Sequence, residues 1–480
     1  MSVLVIDVGT SGLRAALVAD DATITAEHHL VLLPDSPAAG LVEFDAAAMA
    51  GAALDLAQRA LDGADDVRAV GIANQRASTI VWDRATGVPV GPGLGWQDLR
   101  TVGECLVLQA EGLRLAPNLS ATKIAWLLDQ HDPGRDRDLC VGTVDSWIAW
   151  TISGGAHHIT DATNAALTGL VTVGGDDWDD RVLDILRIPR SMLPTIVDST
   201  GDLGEATALP GAPPICGIAG DQQASLIGQG CVAPGPAKIT FGTGGMLDTV
   251  IGPERPGFAT RGGGGTFPII TSRRGGETVW GLEAIMLAAG TNVEWLRDDL
   301  GIIDSAAHSH EVAQQCASSD GVAYVPALLG LGAPVWDYGA RGALLGITRG
   351  SGRPQIVRAV LEGVAQRAAD LVEAAEADSG THLGALRVDG GMTANPTFLQ
   401  ALADATQRRV EVSPEREATT LGAAFAAGLA VGAWSGDEEI AATWAPATVV
   451  EPVGSFDRER WADTLERARR WFPDLSAISF

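Results

Sequence analysis

The sequence predicts an α/β protein of two lobes, and three observations lead there. Helix-like stretches alternate with apolar strand-like runs along a chain of 480 residues. That length exceeds what a single core usually serves. Two glycine-tipped hairpins of like pattern also recur about half a chain apart, each opening a region of continued alternation, so each reads as the start of one lobe.

The first hairpin begins the chain. Val3–Asp7 is a continuous apolar run ending in aspartate, followed by a Gly9-Thr10-Ser11-Gly12 tip and a second run, Leu13–Val18. This is a β-hairpin signature with hydroxyls at the turn. The second hairpin, AKITFGTGGMLDTVIG (Ala237–Gly252), repeats the pattern with a Gly242-Thr243-Gly244-Gly245 tip. Between them, Ala46–Leu61, Ala121–Asp129 and Trp178–Leu186 carry helical spacing. Asp198–Pro214 is rich in glycine and proline and reads as a surface loop. Beyond the second hairpin, Leu282–Leu300 and Pro354–Ala377 are helical by period, and Leu386–Asp389 is a short strand running into a glycine pair and a helix. Leu421–Trp434 is a run of small apolar residues too short to span a membrane, and a buried helix is expected there. The lobe boundary falls in the second hairpin, giving an N-terminal lobe of residues 1–245 and a C-terminal lobe of residues 246–480.

Composition narrows the function. Hydrophobic residues make up 46% of the chain, enough for sizeable cores, and the net charge is −27. So acidic a chain lacks the basic patches that nucleic acid or an anionic membrane requires, and both are excluded as the main partner. An anionic substrate would need a local positive field or a metal ion. Lysine occurs only at Lys123 and Lys238, so arginine carries almost all the positive charge. The five cysteines are scattered without a C-x-x-C pair, which argues against disulfides and zinc and suits a reducing cytoplasm. The opening MSVLVIDVGT has no basic n-region, so no signal peptide is expected.

Four constellations can carry chemistry. Asp7 with Gly9, Thr10, Ser11, Gly12 and Arg14 offers backbone N–H groups and hydroxyls to a phosphate and a carboxylate to Mg²⁺, or is an ordinary tight turn. The tip around Thr243 has the same two readings. Together the two tips define a cleft that grips a triphosphate from both sides. DGGMTAN (Asp389–Asn395) passes from strand to helix, where the helix N-terminus favours a phosphate or a ribose. In GIAGDQQASLIGQ (Gly217–Gln229), Asp221 follows an apolar strand at the opening of a helix and serves either as N-cap or as a base toward a substrate hydroxyl. A modest base suffices for phosphoryl transfer, because the loose transition state lets the hydroxyl lose its proton late. A P-loop and the dinucleotide fingerprint are both absent from the sequence. One further stretch, GIANQRASTIVW (Gly71–Trp82), inserts the polar trio Asn74-Gln75-Arg76 between apolar runs, and such a trio must be satisfied by something.

These residues resemble the FGGY carbohydrate kinases, and within them the glycerol kinases. The resemblance is carried by GIANQRAST, GWQDLRT, SATKIAWLLDQ, GTVDSWIAW, HITDATNAA, GIAGDQQASLIGQ, FGTGG, PALLGLGAPVWDYGARGALLGITRG, ALRVDGGMTANPTFLQ and TTLGAAFAAGLAVG, collinear from Val3 to about Trp434. It implies the actin/hexokinase (ribonuclease H-like) two-domain fold, with ATP and Mg²⁺ in the cleft between lobes. By position, Asp7 corresponds to the magnesium-associated aspartate, with Asp221 beside it as general base. Gly9, Thr10, Ser11, Arg14 and Thr243 correspond to phosphate contacts. Gly290, Glu294, Gly391 and Asn395 fall at nucleotide positions. Gln75, Arg76, Trp96, Asn118, Gln222 and Met246 fall at the polyol site.

The departures bear on specificity. The resemblance expects a hydroxyl-binding glutamate where Ala77 stands, a tyrosine at Asn118, a phenylalanine at Met246 and a glutamine at Glu294. Losing a hydrogen-bond partner for a substrate hydroxyl changes discrimination strongly. Two acceptors therefore stand side by side: glycerol, or a four- or five-carbon polyol or ketose whose extra carbon fills the space at Ala77. Some relatives bind a sugar bisphosphate on a Gly- and Arg-containing loop, but here ATALPGAPPICGIAGDQQ lacks any basic residue before the strand, so that inhibition is expected to be absent. An actin-like ATPase and a non-catalytic sugar-binding module are rival readings. Against them stand Arg76, Trp96, Asp221 and Gln222, a polar set with one aromatic wall suited to a small hydroxylated molecule. His157 and His158 are read as surface or strand-edge residues, not ligands, and the family resemblance implies a homo-oligomer, dimer or tetramer.

Overall fold

The computed structural model describes residues 1–64, 66–414 and 417–478. It contains two large mixed sheets with one shared core order. The first runs Ile215–Gly220, Val67–Asn74, Ser2–Val8, Gly12–Ala19, Ile24–Val31 from edge to edge. The second runs Arg409–Val412, Ala385–Asp389, Ala237–Phe241, Gly245–Gly252, Glu277–Met286, and is extended at its ends by Thr448–Val450 and Phe267–Arg274. In both, the hairpin supplies the central antiparallel pair. One later strand pairs in parallel with its first strand and a second pairs in parallel with that one, while another strand adds antiparallel on the other side. The likeness between the two hairpins in the sequence therefore extends to whole sheets.

The central strands of the first sheet are apolar along most of their length because helices cover both faces, whereas those of the second sheet are apolar on one face. On the first sheet, helix Ala46–Leu61 lays Met49, Ala53, Leu56, Ala57 and Ala60 against one face, and Asp45 caps it by accepting from Ala48 N at 2.9 Å. Helix Ala418–Val431 returns from late in the chain to cover the other face, packing on helix Asp221–Gly228 and on strands Ile215–Gly220 and Val67–Asn74. Its small residues have a steric cause: a Cβ on Gly422 would fall on the backbone of Ala224, and one on Gly228 on that of Ala418. The buried helix expected near Leu421–Trp434 is thus present over Ala418–Val431. On the second sheet, helices Arg353–Ser379 and Pro396–Thr406 bury Ile239, Phe241, Leu247, Ala284 and Met286 in the largest cluster, where Phe241 and Phe398 meet edge to face at 4.9 Å.

One expectation is corrected. Leu282–Leu300 is not one helix: its first part belongs to strand Glu277–Met286, and helix starts only at Thr291. A short apolar run buried on both faces carries no period that separates helix from strand. Of the two readings of His158, the strand-edge one holds: half-buried, it directly precedes strand Ile159–Asp161. Its ring is wedged against Trp82 at 5.2 Å and Trp150 at 6.0 Å, with Nε2 3.0 Å from the Val141 carbonyl, and burial pushes its pKa down to about 4.

Candidate active site

The three parallel strands of the first sheet end at one edge, since Asp7 registers with Ala73, Val8 with Asn74, and Gly220 with the same Asn74. Asp7, the Gln75-Arg76 pair and Asp221 therefore emerge together. Strand alternation sorts the second sheet. Lys238, Thr240, Met246, Asp248, Glu283 and Ile285 share a face opposite the apolar one, as the register Lys238–Asp248–Glu283 and Thr240–Met246–Ile285 requires. That face meets the first lobe; because strand Ala237–Phe241 pairs only within the second sheet, the lobes divide before the second hairpin and not at residue 245 inside it. Arg76 Nη2 donates to Glu283 Oε2 at 2.6 Å, Lys238 Nζ to Gln222 Oε1 at 2.7 Å, and Gln229 Nε2 to Asp389 Oδ2 at 2.8 Å. The two lobes thus join through a polar seam that carries Asp221 and both of its flanking candidates.

The polar trio of the first lobe is fully engaged. Asn74 exchanges amide hydrogen bonds with Asn164 at 2.8 and 3.0 Å. Gln75 donates through Nε2 to the Gly9 carbonyl at 3.3 Å and accepts from Ser78 Oγ at 3.0 Å, so its side chain braces the first hairpin tip. Ser78 Oγ accepts in turn from Trp96 N, and Trp96 Nε1 donates to Thr10 Oγ1 at 3.2 Å. Arg76 points across the seam, with Nε 3.5 Å from Asp221 Oδ1.

Two supports escaped the sequence reading. The turn Asp161–Asn164 ties two strand ends together: Thr163 Oγ1 accepts from Gly220 N at 2.9 Å, directly before Asp221, while Asn164 holds Asn74, directly before Gln75. The only available signal was a polar stretch, HITDATNAA, following an apolar one. Lys123 is the other. Fully buried, it donates to the carbonyls of Trp96 and Asn118 at 3.2 Å each, and burial pushes its amine down to about 7. Its signal was rarity, one lysine of two.

Asp7 and Asp221 form the electrostatic centre. Burial raises the Asp7 pKa to about 7, with the Asp221 charge adding to the rise and Arg14, 3.8 Å away, opposing it. Arg14 is shared with Glu27 at 2.7 Å and with Glu417. Burial also raises Asp221, against the pull of Arg76, the Gln222 N–H and Lys238. Two desolvated carboxylates acting on one another suit a divalent cation. Among the described residues no group of three or more His, Cys, Asp or Glu is placed to hold a metal alone. One or two carboxylates completed by water and nucleotide phosphates is how Mg²⁺ is usually held, so the donor set fits Mg²⁺ arriving with a nucleotide.

On the nucleotide side, Gly290 N donates to the Gly242 carbonyl at 2.8 Å, and a Cβ there would lie 2.6 Å from that oxygen, so only glycine lets the helix start meet the hairpin tip. Thr243 and Glu294 are exposed beside this contact, and Gly391 is exposed at the start of the turn Gly391–Ala394. Asn395 is turned inward. It caps helix Pro396–Thr406 by accepting from Phe398 N at 3.1 Å and donates to Ser309 Oγ at 2.8 Å. On the acceptor side Met246 is half-buried and Asn118 exposed. Ala77 holds a left-handed φ of 58°, and its carbonyl accepts from Ser120 Oγ at 3.1 Å.

A seam between two like lobes, with glycine tips above it and a paired acid at its centre, defines a phosphoryl-transfer enzyme. Comparison with known proteins makes this specific. Residues 2–228 match the N-terminal domain, and residues 237–431 the C-terminal domain, of the FGGY family of carbohydrate kinases, and the chain belongs to that family. A glycerol kinase of Trichlorobacter lovleyi is 43% identical, covering 98% of this chain and 99% of that one. Glycerol kinase 2 of Pseudomonas aeruginosa is 39% identical over 98% and 97%. Among solved structures, Plasmodium falciparum glycerol kinase with ADP superposes with a TM-score of 0.89 at 28% identity, covering 100% of this chain and 99% of that chain. A xylulose kinase of Lactobacillus acidophilus superposes with a TM-score of 0.83 at 21% identity over 99% and 96%, a likeness of fold alone.

Proposed function

We propose that the protein transfers the terminal phosphoryl group of ATP to a hydroxyl of a small polyol, glycerol or a near relative. The observation that carries this is Asp221, a half-buried carboxylate at the strand edge with Arg76 at 3.5 Å and Gln222 next to it in the same helix, both facing the second lobe at the seam. Arg76 and Gln222 orient the acceptor, Trp96 walls it, and Asp221 accepts the hydroxyl proton as the bond to phosphorus forms. The N–H groups of Thr10, Ser11 and Gly242–Gly244 face the phosphates, with Arg14, Thr10 and Thr243 completing the set and Gly9 closing the hairpin through its bond to Gly12; Gly290, Glu294 and Gly391 border the nucleoside, and Asn395 supports them as the cap of helix Pro396–Thr406. Mg²⁺, held by Asp7 and Asp221 when bound, supplies charge neutralisation at the phosphates.

A coupled ADP-release screen over glycerol, erythritol, threitol, ribitol, xylulose and ribulose tests the reading. Polyol-dependent release is expected, and release indifferent to every acceptor contradicts it. The second acceptor reading, a four- or five-carbon polyol or ketose, is favoured by Ala77, whose methyl reaches no hydroxyl. A kcat/KM for such a compound above that for glycerol would select it.

The loop Thr207–Pro214 that precedes strand Ile215–Gly220 contains no basic residue, so no anion site is built there. Fructose bisphosphate at millimolar concentration is accordingly expected to leave the rate unchanged, and measurable inhibition would overturn that. The cysteines are unpaired, and no helix among the described residues is long and apolar enough to cross a membrane. Both support a cytoplasmic enzyme. Self-association into dimers or tetramers completes the reading, to be measured by light scattering.

A further inference from the structure

Three ionisable side chains lie in a row across three neighbouring strands of the second sheet. Lys238 registers opposite Asp248, and Asp248 opposite Glu283. Lys238 and Asp248 are fully buried, with Nζ 2.9 Å from Oδ2, and Glu283 is 4% exposed. Burying such a row costs desolvation that apolar residues at the same positions would not. The row is not closed on itself. At one end Glu283 accepts from Arg76 at 2.6 Å, and at the other Lys238 donates to Gln222 at 2.7 Å. Arg76 and Gln222 belong to the other lobe and flank Asp221, which feels the charges of Arg76, Lys238 and Asp248. A structural salt bridge would need neither outward contact.

We infer that Lys238, Asp248 and Glu283 form a positioning row by which the second lobe sets Arg76 and Gln222 on either side of Asp221. This rests on the reading that those two side chains bind the acceptor. Lys238 fixes the Gln222 amide with its oxygen toward the second lobe, which leaves the amide nitrogen, Nε2, to donate to an acceptor oxygen. Glu283 takes one arm of the Arg76 guanidinium and so fixes the plane of the others. Separation of the lobes breaks both contacts, so acceptor-binding geometry exists only while the seam is formed.

The test is a double-mutant cycle on the full-length protein, with glycerol and ATP varied in turn. Lys238→Met is expected to raise KM for glycerol about tenfold while KM for ATP stays within about twofold, the size expected for one lost positioning hydrogen bond. In a Gln222→Ala background the same substitution should add less than about twofold, because Lys238 acts through Gln222. Glu283→Gln, which still accepts from Arg76, should retain most of the glycerol affinity that Glu283→Ala loses. Should Lys238→Met fail to fold, Lys238→Met with Asp248→Leu removes both charges together, a replacement buried pairs tolerate, and carries the same expectation. Additive effects of Lys238→Met and Gln222→Ala, or equal losses toward both substrates, would overturn the inference. If Arg76→Ala and Gln222→Ala themselves leave KM for glycerol unchanged, the acceptor reading falls and takes this inference with it. If they raise it and the row variants do not, the inference alone falls.

Discussion

Asp221→Asn is expected to lower turnover by roughly 10²–10⁴-fold, the usual span for a general base, while ATP binding survives. The asparagine keeps the shape and can still accept from the Gln222 N–H, which reaches Oδ1 at 2.7 Å. What it loses is the ability to take a proton. Burial raises the Asp221 pKa, so the native carboxylate is a stronger base than an exposed aspartate. Arg76, the Gln222 N–H and Lys238 limit that rise. Steady-state turnover alongside ATP affinity by calorimetry checks the split. Activity close to wild type would remove the base assignment.

Asp7→Asn is expected to remove most activity, by about 10²–10³-fold, the scale of one preorganised electrostatic contact. The same substitution is expected to raise the melting temperature of the ligand-free protein at pH 8. The sign follows from the raised carboxyl, which moves from 3.8 to about 7 on folding. An acid raised in the folded state contributes stability that is complete below its unfolded pKa and is lost as pH rises through its folded one. At pH 8 the ionised Asp7 therefore sits in the fold at a cost on the order of a few kcal/mol, at about 1.4 kcal/mol per pKa unit. Asparagine carries no such cost. The gain should shrink as pH falls through about 7 and vanish near pH 3, which thermal melts across pH will show. A melting temperature lowered at pH 8 would contradict the electrostatic account of the site.

The sequence disclosed the parts of this protein that are local. Both hairpins, their glycine tips and the long helix Arg353–Ser379 could be read from runs and periods, because each is specified by residues adjacent in the chain. Asp7, Arg76 and Asp221 stood out for the same reason, as polar residues ending apolar strands. What sequence could not supply was register. The Lys238–Asp248–Glu283 row exists only because three strands align, and nothing along the chain links residue 238 to residue 283. Gln75 likewise reads as an acceptor ligand until its amide is seen bracing Gly9 and Ser78. Asn395 caps a helix, an alternative that a strand-to-helix turn always leaves open. Leu282–Met286 failed for a different cause, since a strand buried on both faces and a buried helix turn share one composition.

Label transfer tests the central claim most directly. Purified protein is given ATP labelled in its terminal phosphate, with and without glycerol, and the labelled products are separated. The account predicts label in glycerol phosphate, little inorganic phosphate in either case, and loss of transfer in Asp221→Asn. Label released as inorganic phosphate at the same rate without any polyol would show an ATPase and contradict it.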